Sequence, residues 1–466
     1  MKRRDTMRLW LSLLAVLGTL LMLRSPYLSP LLSLPDELRI VVGEQKQLAQ
    51  SPLFRWVLRQ GEALTMRSTP TFLEATAKDA PGEETIDLKL GSLIVRSVNV
   101  QVLPERKVYP GGQSIGVKLR SAGIMVVGYK KVPIADGPPV SPAEAASIKV
   151  GDRIARIDGQ ELKEATELTR IVEKAGRSGK TVTLEVMRGT ERLTVPIKPV
   201  LDSQDNTFKL GLFVRDSAAG VGTFTFYDPE KQTYGALGHV ISDLDTNRPI
   251  VAGGGAILPS LVTSIDRGEA GKPGAIRAVF PEDGSPLGTI ERNSAYGIFG
   301  RIAEMPSHLL YSEPIPVALA EDVHEGQAEI RTVIDGQTVE RFTIEIEKIV
   351  EQKVPTTKSM IIRVTDPRLL EKTGGIVQGM SGSPIIQDGK LVGAVTHVFV
   401  NDPTRGYGVL IEWMLQESDR MLGTRLQHTR DKRVESPLFF NAVVLSKYVD
   451  HSEEFVRLCP TLLSLR

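Results

Sequence analysis

The chain has 466 residues, 57 basic against 56 acidic side chains, a net charge of +1 and an aromatic content of 5%. Such a length exceeds a single hydrophobic core and predicts several domains. The balanced charge excludes a nucleic-acid footprint, and scarce aromatics argue against a large aromatic-lined cofactor pocket. One cysteine, Cys459, excludes an internal disulfide and a zinc site built on several cysteines, and no metal or cofactor is expected.

In chain order, Lys2, Arg3, Arg4 and Arg8 precede an apolar run from Leu9 to Leu23. A basic head before an apolar stretch is the pattern of an export signal. The run falls short of the about 20 residues usual for a spanning helix, and residues 24–30 offer no small-residue cleavage site. Residues 1–24 therefore read as a signal peptide or signal anchor with its basic end inside. Residues 25–107 read as a β-rich region without visible chemistry. Stretches 37–42, 86–90 and 95–102 alternate as half-buried strands do, whereas 60–85, rich in Thr, Pro, Gly and charge, reads as loop.

Residues 108–200 carry strand-like runs at 115–119 and 123–128, the turn-rich stretch 151–159, and a further strand at 181–188. Leu162, Leu168, Ile171 and Val172 show helical spacing within 161–175. This pattern resembles a PDZ domain, in which an extended peptide adds to an exposed strand edge and backbone amides hold its terminal carboxylate. Gly112, Gln113, Ser114, Ile115 and Gly116 are expected to form the carboxylate loop, with a groove helix near 164–175. Gly-Arg-Ser-Gly-Lys-Thr at 176–181 imitates a phosphate loop. The first glycine of that motif falls on Lys174, so no nucleotide is expected.

Residues 201–425 alternate short β-like runs with turns, which predicts a double β-barrel. His239, one of six histidines, sits in Gly-Ala-Leu-Gly-His-Val between an apolar run and a polar turn. Imidazole titrates near neutrality without special tuning, as a general base must. The glycines of 251–256 either approach a partner backbone or form a flexible turn. Asp366, in Thr-Asp-Pro after a β-like run, is the candidate acid that fixes the histidine tautomer; an Asp-Pro turn is the plainer reading. Asp243 and Asp245 are too close to His239 in sequence to face its ring. Residues 375–384 read Gly-Ile-Val-Gln-Gly-Met-Ser-Gly-Ser-Pro. A serine between glycines can sit in a tight curl with its hydroxyl projecting. Ser381 is then the nucleophile, and the amides of Gly379 and Ser381 are the donors for a developing oxyanion. His397, on the following β-prone run, is a second candidate base or a substrate-contacting residue. Residues 426–466 open on Arg430, Asp431, Lys432 and Arg433 and have no assigned structure.

The His239 segment, the Gly-Met-Ser-Gly-Ser-Pro loop and the Gly-Ala-Val-Thr-His-Val-Phe-Val run together resemble the stage IV sporulation protein B (SpoIVB) peptidases, as does Val108–Leu119 at the start of that family's PDZ module. Met380 departs from digestive serine proteases, which carry aspartate there, so activation through a buried N-terminal amine is not expected. The resemblance implies a mainly β protein: a chymotrypsin-like double β-barrel at 201–425, preceded by a PDZ domain at 108–200. It carries the base onto His239, the nucleophile onto Ser381 and the acid onto Asp366. It further implies limited proteolysis in sporulation signalling: self-cleavage, and cutting of a membrane-protein regulator of an intramembrane protease, leading to activation of a late sigma factor. The site of action would be the space between mother cell and forespore, with the N-terminus on the membrane. Two other readings are a PDZ scaffold on an inactive barrel and a general quality-control serine protease, the latter usually placing its PDZ domain after the protease.

Overall fold

A computed structural model describes residues 37–49, 54–59, 62–69, 72–280, 284–303, 313–350 and 355–434. The signal segment 1–24 and the tail from 435 onward, with Cys459, lie outside the described residues. Two compact units divide at Lys107 and Val108.

The first unit contains two small sheets. One runs in the order Glu37–Val41, Leu93–Leu103, Gly82–Leu90, Arg55–Leu58; the other runs Gln45–Ala49, Phe72–Ala77, Leu64–Ser68. The expected loop at 60–85 is therefore largely strand. Phe72–Ala77 alternates strictly, burying Leu73, Ala75 and Ala77. Two of these are alanines, too small to give a hydrophobic signal, and they close a core around Ile40, Trp56, Ile86 and Val100.

The second unit is built on two β-barrels. The C-terminal barrel is closed by six strands in the order Gly326–Val333, Val339–Ile349, Met360–Val364, Asp402–Leu410, Lys390–Phe399, Pro384–Gln387. Period-two alternation explains it. In Val339–Ile349, Phe342, Ile344 and Ile346 point inward while Thr343 and Glu345 face out. Closure leaves no edge to pair with another chain. The N-terminal barrel is a ring through Ala252–Pro259, residues 114–121, residues 217–228, Thr233–Ala236 and Gly297–Arg301. A single bridge, Gly288 to Ile302, returns the ring to Ala252–Pro259. Glycines of the 251–256 segment permit close packing. A Cβ at Gly255 would lie 2.4 Å from the Lys118 carbonyl oxygen, so the partner backbone is another strand of this chain.

The PDZ domain is set into this first barrel, not placed ahead of it. Ser114–Tyr129 and Leu212–Asp228 are long strands, each serving both sheets. Residues 217–223 pair with 114–120 in the barrel, and 212–215 pair with 125–129 in the PDZ sheet, with bulges absorbing the bend between. The boundary at 200/201 therefore falls elsewhere, because Leu210, Leu212 and Val214 pack in the PDZ core with Ile154, Leu168 and Leu184. The PDZ helix runs Ala165–Arg177 and buries Leu168, Val172 and Gly176 on one stripe. At Gly176 a Cβ would meet the Phe208 ring. That glycine serves packing and not a phosphate.

The carboxylate loop expected at Gly112, Gln113, Ser114, Ile115 and Gly116 is contradicted. All five are buried. The Gly112 amide donates to the Phe224 carbonyl, the Gln113 carbonyl accepts from the Phe224 amide, and Ser114 takes a hydrogen bond from Ser260. A Cβ on Gly116 would sit inside the Phe280 ring contact, 2.4 Å from its Cγ. These residues open the first barrel strand, and no peptide can reach them.

A last helix, Ile411–Val434, extends past the expected boundary at 425. Met414, Leu415 and Met421 pack it against both barrels, beside Phe226 and Val409. Among the described residues no helix is long and apolar enough to cross a membrane.

Gly112 has φ +116°, and a Cβ there would lie 2.6 Å from Val339 Cγ1 of the other barrel. Gly112→Ala should therefore lower stability by about 1–3 kcal/mol in chemical denaturation; an unchanged midpoint would restore the idea of an accessible loop.

Candidate active site

Between the barrels lies a cleft of about 550 Å³, into which His239, Gly379, Ser381, Thr396 and His397 all face. Its remaining walls are largely apolar, with exposed Leu244 and Val400 at the rim. The structure thus brings His239 and Ser381, from segments far apart in the chain, into one cleft.

The serine loop is held from across the interface. Thr223 donates its amide to the Ser381 carbonyl at 2.9 Å and its hydroxyl to the Gly379 carbonyl at 2.7 Å, and the Thr225 hydroxyl donates to the Gly382 carbonyl at 2.7 Å. Gly379 and Gly382 have φ of +101° and +97°. A Cβ on Gly382 would lie 2.1 Å from the Thr223 carbonyl oxygen, so glycine is required on both steric and conformational grounds. In the same loop the amides of Gln378, Met380, Gly382 and Ser383 each donate to a backbone carbonyl. Those of Gly379 and Ser381 donate to none among the described residues. Two free amides flanking the serine hydroxyl form a ready oxyanion site. Met380 is fully buried in the second barrel's core.

His239 projects from a left-handed pair, Leu237 at φ +72° and Gly238 at φ +69°. Such a conformation at leucine costs roughly 1–3 kcal/mol. The turn is pressed against the second barrel, since a Cβ on Gly238 would be 3.0 Å from Thr396 Cγ2. His239 Nδ1 lies 2.9 Å from the Val240 carbonyl. A carbonyl can only accept, so that nitrogen carries the proton and Nε2 keeps its lone pair. Burial pushes the His239 pKa below the ordinary imidazole value, and the Val240 bond opposes this in part. The His397 ring stands 5.2 Å away, centroid to centroid. Although His397 is exposed at the rim, desolvation, then the neighbouring His239 and Lys358, bring its pKa down to about 4. The Ser381 hydroxyl donates at 2.8 Å to the Thr396 carbonyl. A rotation about χ1 is needed to hand its proton to His239.

Asp366 is not brought to this cleft. Its carboxylate caps the helix Pro367–Thr373, accepting from the Arg368 amide at 2.9 Å. The Arg368 guanidinium and the Thr343 amide hold the other oxygen. Burial acts to raise its pKa, but these hydrogen bonds and the Arg368 charge outweigh burial and hold it below the usual carboxylate value. Asp243 is likewise engaged, by Arg215 and by the backbone and hydroxyl of Thr246. The group that fixes the His239 tautomer is the Val240 carbonyl.

A second groove, of about 270 Å³, runs between the PDZ helix and residues 208–214. Strand residues 212–214 pair on one side only, with residues 126–129. The Leu210 and Gly211 carbonyls are consumed by the Ala143 and Lys130 amides and the Ser141 hydroxyl, while the Leu210 and Gly211 amides donate to no backbone carbonyl among the described residues. Gly211 has φ +74°. Here, and not at 112–116, are the open edge and free amides that a carboxylate-terminated peptide requires. The missed signal was Leu210-Gly211-Leu212-Phe213, a glycine among apolar residues just before a β-prone run, with Phe213 54% exposed.

The acid limb of kcat/KM should lie below about pH 6.5, the free imidazole value, because the buried base resists protonation; a limb at or above that value would contradict the burial. For stability, both histidines have folded pKa values below their unfolded ones. Their contribution is present above about pH 6.5 and is lost as pH falls toward the folded value, about 4 for His397. Denaturation midpoints should drop across that window, and drop less in His397→Ala. Separately, Asp366→Ala should cost about 1 kcal/mol through the lost cap, with Asp366→Asn recovering most of it; equal losses in both would refute the capping role.

Comparison with known proteins agrees with this architecture. Residues 206–415 match the family described as SpoIVB peptidase S55, and residues 114–198 match the PDZ domain. The "Putative serine protease HhoA" of Synechocystis is 40% identical over 60 residues, 13% of this chain and 15% of that protein. A "Putative zinc metalloprotease" of Mesorhizobium japonicum is 29% identical over 119 residues, 25% of this chain and 31% of that protein. The chain thus spans less than a third of these relatives' lengths. Among solved structures, the PDZ domain of an SdrC-like protein from Listeria monocytogenes is 24% identical, covering 20% of this chain and 87% of that one, with a TM-score of 0.17. Residues 206–415 are thus similar to the SpoIVB peptidase S55 family, and the PDZ-like segment is set into the first barrel of the chain.

Proposed function

We propose that the protein is a serine endopeptidase that makes few, selected cuts. The observation that carries the reading is the pair of unoccupied amides at Gly379 and Ser381 beside a serine that shares its cleft with a neutral, tautomer-fixed His239. In acylation, Ser381 Oγ adds to the scissile carbonyl and its proton passes to His239 Nε2. The oxyanion takes hydrogen bonds from the two amides. Collapse expels the amine, which carries away the proton from His239. Water then adds to the acyl-serine, again losing a proton to Nε2; collapse expels Ser381 Oγ, which takes that proton back from His239, and the carboxylate product leaves. His397 stays neutral throughout at neutral pH, so it does not oppose the charge that His239 gains. The apolar cleft walls favour apolar side chains near the scissile bond, by about 1–3 kcal/mol per well-filled site.

The PDZ groove at 210–214 supports selection of partners by a carboxylate-terminated peptide. The N-terminal signal pattern and the family resemblance support action outside the cytoplasm on a membrane surface, in the space between mother cell and forespore. On this reading the targets are the protein itself and a membrane-protein regulator of an intramembrane protease, and the outcome is activation of a late sigma factor.

The full chain and Ser381→Ala should be followed by mass spectrometry. Self-cleavage in the wild type, reduced at least about 10⁴-fold in the variant, is expected; stable bands in both would favour a binding scaffold. Unfolded casein should stay mostly intact, and its complete digestion would point to a quality-control protease instead.

A further inference from the structure

Away from the cleft, cations converge where the PDZ sheet meets the first barrel. Arg120, Arg153, Arg156 and Lys163 line a pocket of about 420 Å³, and its only acid is Glu161. Backbone close to backbone forms its floor. Gly123, at φ +109°, would place a Cβ 2.7 Å from the Ile154 carbonyl oxygen, and a Cβ on Gly253 would lie 2.6 Å from the Ala122 Cα. Larger residues at either position would fill the space or push the two sheets apart.

The charge here is uncompensated. Several arginines elsewhere in this chain are paired at short range, as in Arg188 with Asp152 at 2.7 Å and Arg292 with Glu417 at 2.7 Å. None of the four pocket cations is in an ion pair among the described residues. Glu161 is the cross-strand neighbour of Arg156, a register that favours opposite charges, yet the two side chains form no ion pair. Arg153 is half-buried with its guanidinium donating to the Ala122 carbonyl, and burial works against its positive charge.

We propose that this pocket binds a small oxyanion group, phosphate or carboxylate, with the guanidinium groups and Lys163 supplying the charge. Guanidinium forks match such oxygens two at a time, and charge-assisted bonds of this kind are about twice as strong as neutral ones. The bound group bridges the PDZ hairpin, through Arg153, Arg156 and Lys163, to the barrel, through Arg120. It is thereby a link between the peptide-binding and peptide-cutting parts of the chain.

Calorimetric titration of the full chain tests this, with inorganic phosphate in one arm and a short oligoglutamate peptide in the other, ionic strength being matched with chloride. Binding in the phosphate arm alone assigns the site to phosphate, and binding in the peptide arm alone to carboxylates. Arg156 and Lys163 are exposed, so Arg156→Ser/Lys163→Ser should stay folded and weaken binding by about tenfold or more. No heat above the chloride blank in either arm, or equal affinity in the double variant, would overturn the proposal.

Discussion

Two threonines on one strand hold the catalytic geometry together. Thr223 and Thr225 belong to the first barrel, yet their hydroxyls and one amide bind carbonyls of the serine loop, which belongs to the second. The Thr223 carbonyl also accepts from the Leu237 amide, at the root of the His239 turn. One residue therefore fixes the nucleophile loop and the base loop relative to each other. The Gly379, Ser381 and Gly382 carbonyls are drawn toward the first barrel, while the Gly379 and Ser381 amides, which line the cleft, are left without a backbone acceptor among the described residues. Oxyanion stabilisation demands donors already in place before charge develops, and this clamp supplies the rigidity.

The same strand explains why the PDZ domain sits where it does. Leu212–Asp228 begins as the open edge of the peptide groove and ends as the clamp on the serine loop. From Val214 to Thr223 an extended chain covers about 30 Å. A peptide laid on residues 212–214 and a substrate in the cleft are thus bonded to one continuous ladder, with the bulges near 213–217 as its places of give. Ser114–Tyr129, its partner, is continuous in the same way. Inserting the domain between two neighbouring barrel strands adds no free linker, so its orientation to the cleft is fixed by hydrogen bonds and not by a tether.

Much of this was legible from residue order. The serine loop was readable because glycine at 379 and 382 answers a steric demand that few other sequences meet, and His239 because few histidines compete with it. The PDZ groove was misplaced for an equally physical reason. Gly112 and Gly116 look like a backbone-exposing loop, but their missing side chains make room for Val339 and the Phe280 ring. A glycine that frees an amide and a glycine that admits a neighbour are identical in sequence. Asp366 shows the same ambiguity for carboxylates. Asp-Pro before a helix satisfies orphan amides, and only the distance to a ring distinguishes such a cap from a triad acid. The strands within 60–85 were lost because alanine and threonine carry the alternation there.

With no carboxylate on His239 among the described residues, the cost of forming imidazolium falls on the rest of the site. The Val240 carbonyl can hold the Nδ1 proton and stabilise positive charge by its dipole, but less than a full anion would. Burial makes the cation dearer still, as the depressed pKa of His239 records. A neighbouring charged His397 would add repulsion across 5.2 Å, and its own pKa of about 4 removes that repulsion at neutral pH. The resting Ser381 proton, lodged on the Thr396 carbonyl, is consistent with a base that does not pull strongly on the hydroxyl. Such a site reacts slowly unless binding energy brings serine, base and carbonyl into line. That is the behaviour suited to a protease which cuts the partner it holds and leaves other chains alone.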